Sequence, residues 1–318
     1  MSTHQMLPVD SVKITPISLE FWGIPGRELH LLREDLTHPA YGGNKWRKLV
    51  YNLEKARQRG DRAVLTFGGP WSNHLLATAA ACKAAGIGAI GMVRGTAPAP
   101  LTATLQDCTD LGMELHYLSR AEYAEKNTDY FKAHLRDVHG RVHIVPEGGS
   151  NFLGIQGCME ILREAHDSYT DVCVAMGTGA TAAGLLLGRR PGQTVWGFPV
   201  VKGGDGLRGA VHAQLYWSLL DQELVDDVMA HLSLTPAHRD GFAKTDGQLL
   251  GFMRDFYTQT GVKLDHVYTA KLVWTVIEAL REGRLTGTPL VVHTGGLQGL
   301  RGLEHALGEA VYPRGVND

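Results

Sequence analysis

The chain has 318 residues, of which 44% are hydrophobic and 20% charged, and its formal net charge is −2. That length allows about two domains of roughly 150 residues each, with ample material for a core. The balanced charge gives no electrostatic case for nucleic acid or a membrane surface.

In chain order, "ELHLL" (28–32) reads as a strand, followed by the loop "YGGN" and a helix over about 45–59. "AVLTF" (63–67) is a second strand, and "WSNHLLATAAACKAAG" a helix that ends at Gly86. "AIGMV" (89–93), "ELHYL" (114–118) and "VHIVP" (142–146) are further strands, with "DVCVAMG" (171–177), "TVWGF" (194–198) and "PLVVHTGG" (289–296) forming a later set. Residues 210–285 read as mostly helical, and "GTAPAP" (95–100) as a surface loop. Unbroken apolar strands with helices between them predict an α/β protein whose parallel sheets are covered on both faces. Glycine-rich loops interrupt the pattern near residues 50 and 152, where a domain break is expected.

No apolar run is long enough to span a bilayer, and "MSTHQMLPVD" lacks a signal-peptide pattern. The cytoplasm is the expected compartment. Cys82, Cys108, Cys158 and Cys173 form no C-x-x-C pair and read as buried free thiols. The histidines form no H-E-x-x-H or Cys/His cluster, so no metal site is expected.

Glycine-rich loops end several of the predicted strands, where ligands of open parallel sheets bind. In "FGGPWSNHLL", Ser72 or Asn73 is suited to cap the next helix, whose free N–H groups favour a carboxylate. "VPEGGSNFLGIQG" (145–157) suits another helix start, and "VVHTGGLQGL" (291–300) a turn. In "VAMGTGATAAGL", a strand runs into Gly177-Thr178-Gly179-Ala180-Thr181, whose small residues let the backbone wrap a phosphate at a helix N-terminus. The G-x-G-x-x-A spacing admits a dinucleotide, but the next strand, "TVWGFPVVKGG", ends without the acid that a ribose needs. A single phosphate fits better.

Lys45 lies in "YGGNKWRKL". A helix N-terminus and the neighbouring cations Arg47 and Lys48 disfavour its ammonium form. The flanking glycines admit a flat ligand, and Asn44 is able to hydrogen-bond a phenolic oxygen. A reactive lysine with a phosphate cradle describes pyridoxal phosphate.

The chain resembles the fold-type-II, tryptophan-synthase-β-like enzymes that use pyridoxal 5'-phosphate, and within them the 1-aminocyclopropane-1-carboxylate deaminase and D-cysteine desulfhydrase family. The resemblance runs through "LREDLTHPAYGGNKWRKL", "GGPWSNHLLATAAA", "PEGGSN", "GTGATAAGL", "LDHVYTAK" and "HTGGLQGL". It implies a large cofactor-binding domain of residues 1–49 and 153–318, a small domain of residues 50–152, a cofactor in the cleft between them, and a homodimer. It implies that Lys45 forms the Schiff base with the cofactor, and that Lys48, Gly177, Thr178, Gly179 and Thr181 surround the phosphate. Asn44 and Asn73 would lie near the ring. Ser72, Asn73 and His74 would receive the carboxylate of a small amino-acid substrate, with Ser72 also relaying a proton. Tyr268 would stand over the ring as an acid, a base or a stacking group.

Deaminases of this family carry Glu after the tyrosine and Leu after the histidine of "HTGG"; desulfhydrases carry Ser or Thr, and Thr. This chain has Thr269 and Thr294. A hydroxyl beside the pyridine nitrogen leaves it largely neutral, which suffices for α-proton removal and loss of a β leaving group. The expected reaction is therefore α,β-elimination, with D-cysteine the leading substrate and pyruvate, ammonia and sulfide the products. The alternatives are cyclopropane-acid deamination, β-replacement, D-serine dehydration, or binding without turnover. "DGFAKTDG" places Phe242 where the deaminases carry a second tyrosine. Pro70-Trp71 and His266 depart from the family's usual residues.

Overall fold

The computed structural model of the protein describes residues 9–163, 165, 169–201, 204, 206–238, 241 and 243–313. Phe242 lies outside them. The strands are β1 (Ile14–Ser18), β2 (Glu28–Leu32), β3 (Ala63–Gly68), β4 (Gly88–Arg94), β5 (Met113–Leu118), β6 (Val142–Val145), β7 (Asp171–Met176), β8 (Thr194–Pro199), β9 (Leu232–Leu234) and β10 (Leu290–Val292). The α-helices are α1 (Asn44–Arg59), α2 (Asn73–Ala85), α3 (Ala103–Asp110), α4 (Arg120–Ala124), α5 (Asp129–His139), α6 (Phe152–Cys158), α7 (Ala180–Gly188), α8 (Gly206–Leu219), α9 (Gln222–Ala230), α10 (Gly247–Thr260), α11 (Thr269–Arg281) and α12 (Leu300–Leu307).

The strands form two sheets, ordered β1-β2-β10-β7-β8-β9 and β5-β4-β3-β6. The four-stranded sheet is wholly parallel. The six-stranded sheet is parallel except at β1, which runs antiparallel to β2. β1 carries Pro16, which has no N–H to donate and is tolerated at an edge. Its residues run from half-buried Ile14 and Thr15 through exposed Pro16 to buried Ile17 and exposed Ser18, which hides it from a search for unbroken apolar runs. β9 is only three residues long, inside the stretch read as helical.

Each sheet is buried on both faces, as helix-covered parallel strands require. Along β7, Cys173 and Ala175 pack into one apolar cluster, and Val172, Val174 and Met176 into another. Along β3 and β4, Val64, Ala89 and Val93 join one cluster, and Leu65, Phe67, Ile90 and Met92 another. The side-chain period of two thus sorts each strand between two cores. All four cysteines are buried and unpaired.

Helix α1 ties the parts together. Leu49, Val50, Leu53 and Ala56 pack with residues of α2 and β4. On the same helix, Arg47 donates through Nε to Glu34 Oε2 at 3.1 Å and through Nη2 to Oε1 at 2.8 Å. Glu34 is fully buried, and its carbonyl accepts Gly43 N–H at 2.8 Å. This ion pair therefore braces the loop from which α1 begins.

Candidate active site

Gly43 caps α1 with φ 75° and ψ −167°. A Cβ at this position would lie 2.2 Å from the Thr294 carbonyl oxygen, so only glycine allows the two loops to touch. Asn44 N–H then donates to that same oxygen at 3.2 Å. The Asn44 side chain takes the Lys45 ammonium on Oδ1 at 2.9 Å and donates through Nδ2 to Thr181 Oγ1 at 2.8 Å. Lys48, one turn on, donates to the Gly148 carbonyl at 3.1 Å.

These residues open on a cavity of about 640 Å³, within the range usual for small-molecule sites. Its wall is built from segments that follow the carboxyl ends of strands: 69–74 after β3, Arg94 ending β4, Glu147 and Gly148 after β6, 177–179 after β7, and 294–296 after β10. Asn44, Lys45, Lys48, Ser72, Asn73, His74, Gly177, Thr178, Gly179, Thr181, Tyr268 and Thr294 all line it.

Thr269 is the exception among the sequence-derived candidates. It is buried outside the lining, and its hydroxyl donates to Asp265 Oδ1 at 2.8 Å. Asp265 also accepts the N–H groups of Val267, Tyr268 and Thr269. The acid thereby captures the start of α11 and turns Thr269 away, leaving Thr294 as the threonine of the pair on the cavity wall. Sequence reading passed over Asp265, which lies four residues ahead of the helix's first residue and outside the usual capping position. It also passed over Arg94 and Glu147, both of which line the cavity.

The electrostatics favour reactive amines. Burial, then the Lys48 charge, lowers the Lys45 pKa to about 7. Burial also lowers that of Lys48. His74 is pushed well below its usual range by burial and by both lysines. Thr66 spends its hydroxyl proton on the Val145 carbonyl at 2.8 Å, so it accepts Nε2–H of His74 across their 2.9 Å contact. His74 Nδ1 is then a bare acceptor, and it has no partner. Asn73 Oδ1 is similarly unpaired. Burial, with the nearby Asp265 charge second, raises the pKa of Tyr268, which keeps its proton.

Two helix N-termini face the cavity. At α2, Ser72 Oγ accepts Leu75 N–H at 3.3 Å, so the Asn73 and His74 amides remain for a ligand. At α7, the Gly177–Gly179 loop is held by Gln214 Nε2, which donates to the Thr178 carbonyl at 2.8 Å. Ser150 Oγ donates to Thr178 Oγ1 at 2.6 Å. Away from the cavity, Glu114, His116 and His139 bring potential ligand atoms within 4.8 Å of one another, a grouping that no sequence spacing announced. No helix among the described residues is long and apolar enough to cross a membrane.

Residues 10–295 match a family described as pyridoxal-phosphate dependent enzyme. Among curated relatives, a bifunctional D-cysteine desulfhydrase/1-aminocyclopropane-1-carboxylate deaminase of Arabidopsis thaliana is 29% identical, with 90% of this chain and 77% of that one covered. A putative 1-aminocyclopropane-1-carboxylate deaminase of Thermotoga maritima is 31% identical, covering 86% and 90%. A D-cysteine desulfhydrase of Yersinia pestis is 27% identical, covering 86% and 88%. Among solved structures, an ACC deaminase homologue superposes with a TM-score of 0.80 at 24% identity, covering 96% and 98%. Serine racemase from Dictyostelium discoideum gives 0.67 at 14%, covering 92% and 95%.

The cavity fits the cofactor of that family. It offers the half-buried amine of Lys45 and the buried one of Lys48, a glycine–threonine loop at a helix N-terminus, and buried polar atoms of Asn73 and His74 that lack partners. Among the described lining residues the one acid is Glu147, and it pairs with Lys126 rather than with Lys45 or Lys48.

Proposed function

Because this chain belongs to the pyridoxal-phosphate dependent enzyme family, we propose that it catalyses α,β-elimination from a small amino acid, with D-cysteine as the first substrate to test. The observation that carries this reading is the pairing of Lys45, with its pKa near 7, and the carboxylate-ready start of α2 in one cavity. The names of the plant and Yersinia relatives support the choice of substrate. The rival, cyclopropane-acid deamination, draws on the name of the Thermotoga relative. A threonine at position 294, on the cavity wall where the resembling deaminases carry leucine, favours elimination.

Bound pyridoxal phosphate supplies a carbonyl for the amine and an electron sink for the α-carbon. Lys45 would hold the cofactor, and its Nζ would take or return a proton. Lys48, Thr178, Gly179 and Thr181 would hold the phosphate, with Gly177 beside them. Asn44 and Asn73 would lie near the ring, and Thr294, rather than Thr269, would offer it a hydroxyl. Ser72 and the amides of Asn73 and His74 take the substrate carboxylate. Tyr268, which keeps its proton at neutral pH, donates at its hydroxyl.

The two sheets correspond to two domains, residues 1–49 with 153–318 and residues 50–152. Separate apolar clusters around each sheet support the division. The working unit is a homodimer in the cytoplasm. Trp217 and Leu220, 74% and 71% exposed at the end of α8, support an assembly that covers them.

The test is a visible absorption spectrum with and without D-cysteine, alongside Lys45→Ala. A band that is absent in the variant, and that shifts as sulfide and pyruvate appear, is the expected result. Turnover of the cyclopropane acid without sulfide release from D-cysteine would reverse the order of the two readings.

A further inference from the structure

Among the charged residues of the cavity wall, the proposed reaction leaves Arg94 without a task. Lys45 and Lys48 are assigned to the cofactor, and the α-carboxylate has its own donors at the start of α2. Arg94 ends β4 and is exposed there. Its Nη2 lies 3.7 Å from where a Gly69 Cβ would stand, and Ser72 N–H turns back onto the Gly69 carbonyl at 3.0 Å. The guanidinium therefore sits one turn from the proposed carboxylate pocket.

Its side chain makes no ion pair or hydrogen bond with another described residue. Its contact is with the Tyr123 ring, whose centroid is 5.7 Å from Cζ. A cation over an aromatic face in this way keeps its N–H fork open to an anion. Glu147, the acid on the same wall, is held by Lys126 at 3.5 Å. Also on the lining, Trp71 packs on Gly302 of α12, with ring atoms 3.0 Å and 3.1 Å from where a Cβ would stand. The outer cavity thus sets apolar side chains beside a forked cation that no described carboxylate pairs.

We propose that Arg94 reads a second anionic group, so that the site takes amino acids whose β-substituent carries an oxyanion such as a carboxylate. This rests on the elimination reading of the same cavity and changes the substrate class expected for it. Arginine meets a carboxylate with two parallel N–H···O bonds. A neutral isostere would leave that fork half used.

The experiment is calorimetric titration of the holoenzyme with aspartate and with asparagine, in both hands. The two match in shape and differ in charge, and neither carries a good leaving group. For one hand, aspartate is expected to bind at least about tenfold more tightly than asparagine, or about 1.4 kcal/mol. Arg94→Gln removes the preference and leaves asparagine's affinity within about twofold, while Arg94→Lys keeps part of it. Equal affinities in the unmodified enzyme overturn the assignment. So does an Arg94→Gln loss shared by both ligands, which would place Arg94 at the α-carboxylate. The cofactor's absorption band separates the two levels: a band shifted by both ligands with the same half-saturating concentration sinks the Arg94 assignment alone. A protein with no band, or one that no amino acid shifts, sinks the elimination reading and this inference with it.

Discussion

Replacing Arg47 by Met takes bonds of 2.8 and 3.1 Å from the Glu34 carboxylate in a site without exposure. Breaking a buried pair from one side costs about 3–5 kcal/mol. Glu160 adds little to the loss: it lies 3.9 Å from Arg47 and keeps Arg163 at 3.1 Å and the Tyr51 hydroxyl. Glu34→Gln keeps a neutral acceptor and costs less, about 1–3 kcal/mol. In the double variant, the buried charge that lost its guanidinium is gone. Its loss should therefore fall short of the sum of the single losses by more than about 1 kcal/mol, as coupled neighbours do. The assay is urea unfolding at neutral pH, followed by circular dichroism and by the cofactor's visible band. The band should fail at lower urea than the helices do in Arg47→Met, because Glu34 also holds the Gly43 amide at the root of Lys45. An Arg47→Met loss below about 1 kcal/mol, or strictly additive losses, would refute the claim that this pair braces the site.

Gly43→Ala forces a side chain into the left-handed region and against the Thr294 carbonyl. A loss of about 1–3 kcal/mol and weaker cofactor retention should appear in thermal melts and equilibrium dialysis. Ser72→Ala removes a helix cap worth about 1 kcal/mol; KM for the amino acid should rise while the cofactor band persists. Lys45 should set a pH slope in the apoprotein. Its folded pKa of about 7 lies below the unfolded value of about 10.4. The stability withheld by burying its charge is then fully missing below pH 7 and is regained as pH rises towards 10.4. Lys45→Met should flatten that rise in a series of melts, and an unchanged slope would mean that the amine titrates normally.

The loops that follow the parallel strands were legible because each combines a backbone demand with a position: glycines at a strand's carboxyl end, then a helix start. That logic found the segments around Lys45, Ser72, Thr178 and Thr294, and the cavity joins them. It failed where a side chain's direction depends on a distant or unnoticed partner. Thr269 and Thr294 look equivalent as letters, but the Asp265 carboxylate draws the first away from the wall. Arg94 was passed over because one arginine at the end of an apolar strand looks like a surface charge until the loop after β3 folds beside it. β1 escaped because its partner, β2, covers only one of its edges and so demands no apolar run.

Helix α1 is rooted at one end and embedded at the other. Its first residues bond to the loop after β10, while its later turns pack among residues of α2 and β4. Between these two attachments, Gly157 of α6 lies so close to the Arg47 carbonyl that a Cβ there would collide with it. Lys45 and Lys48 therefore stand on a helix held from both sheets, and a change that loosens either sheet is felt where the two amines meet the cavity.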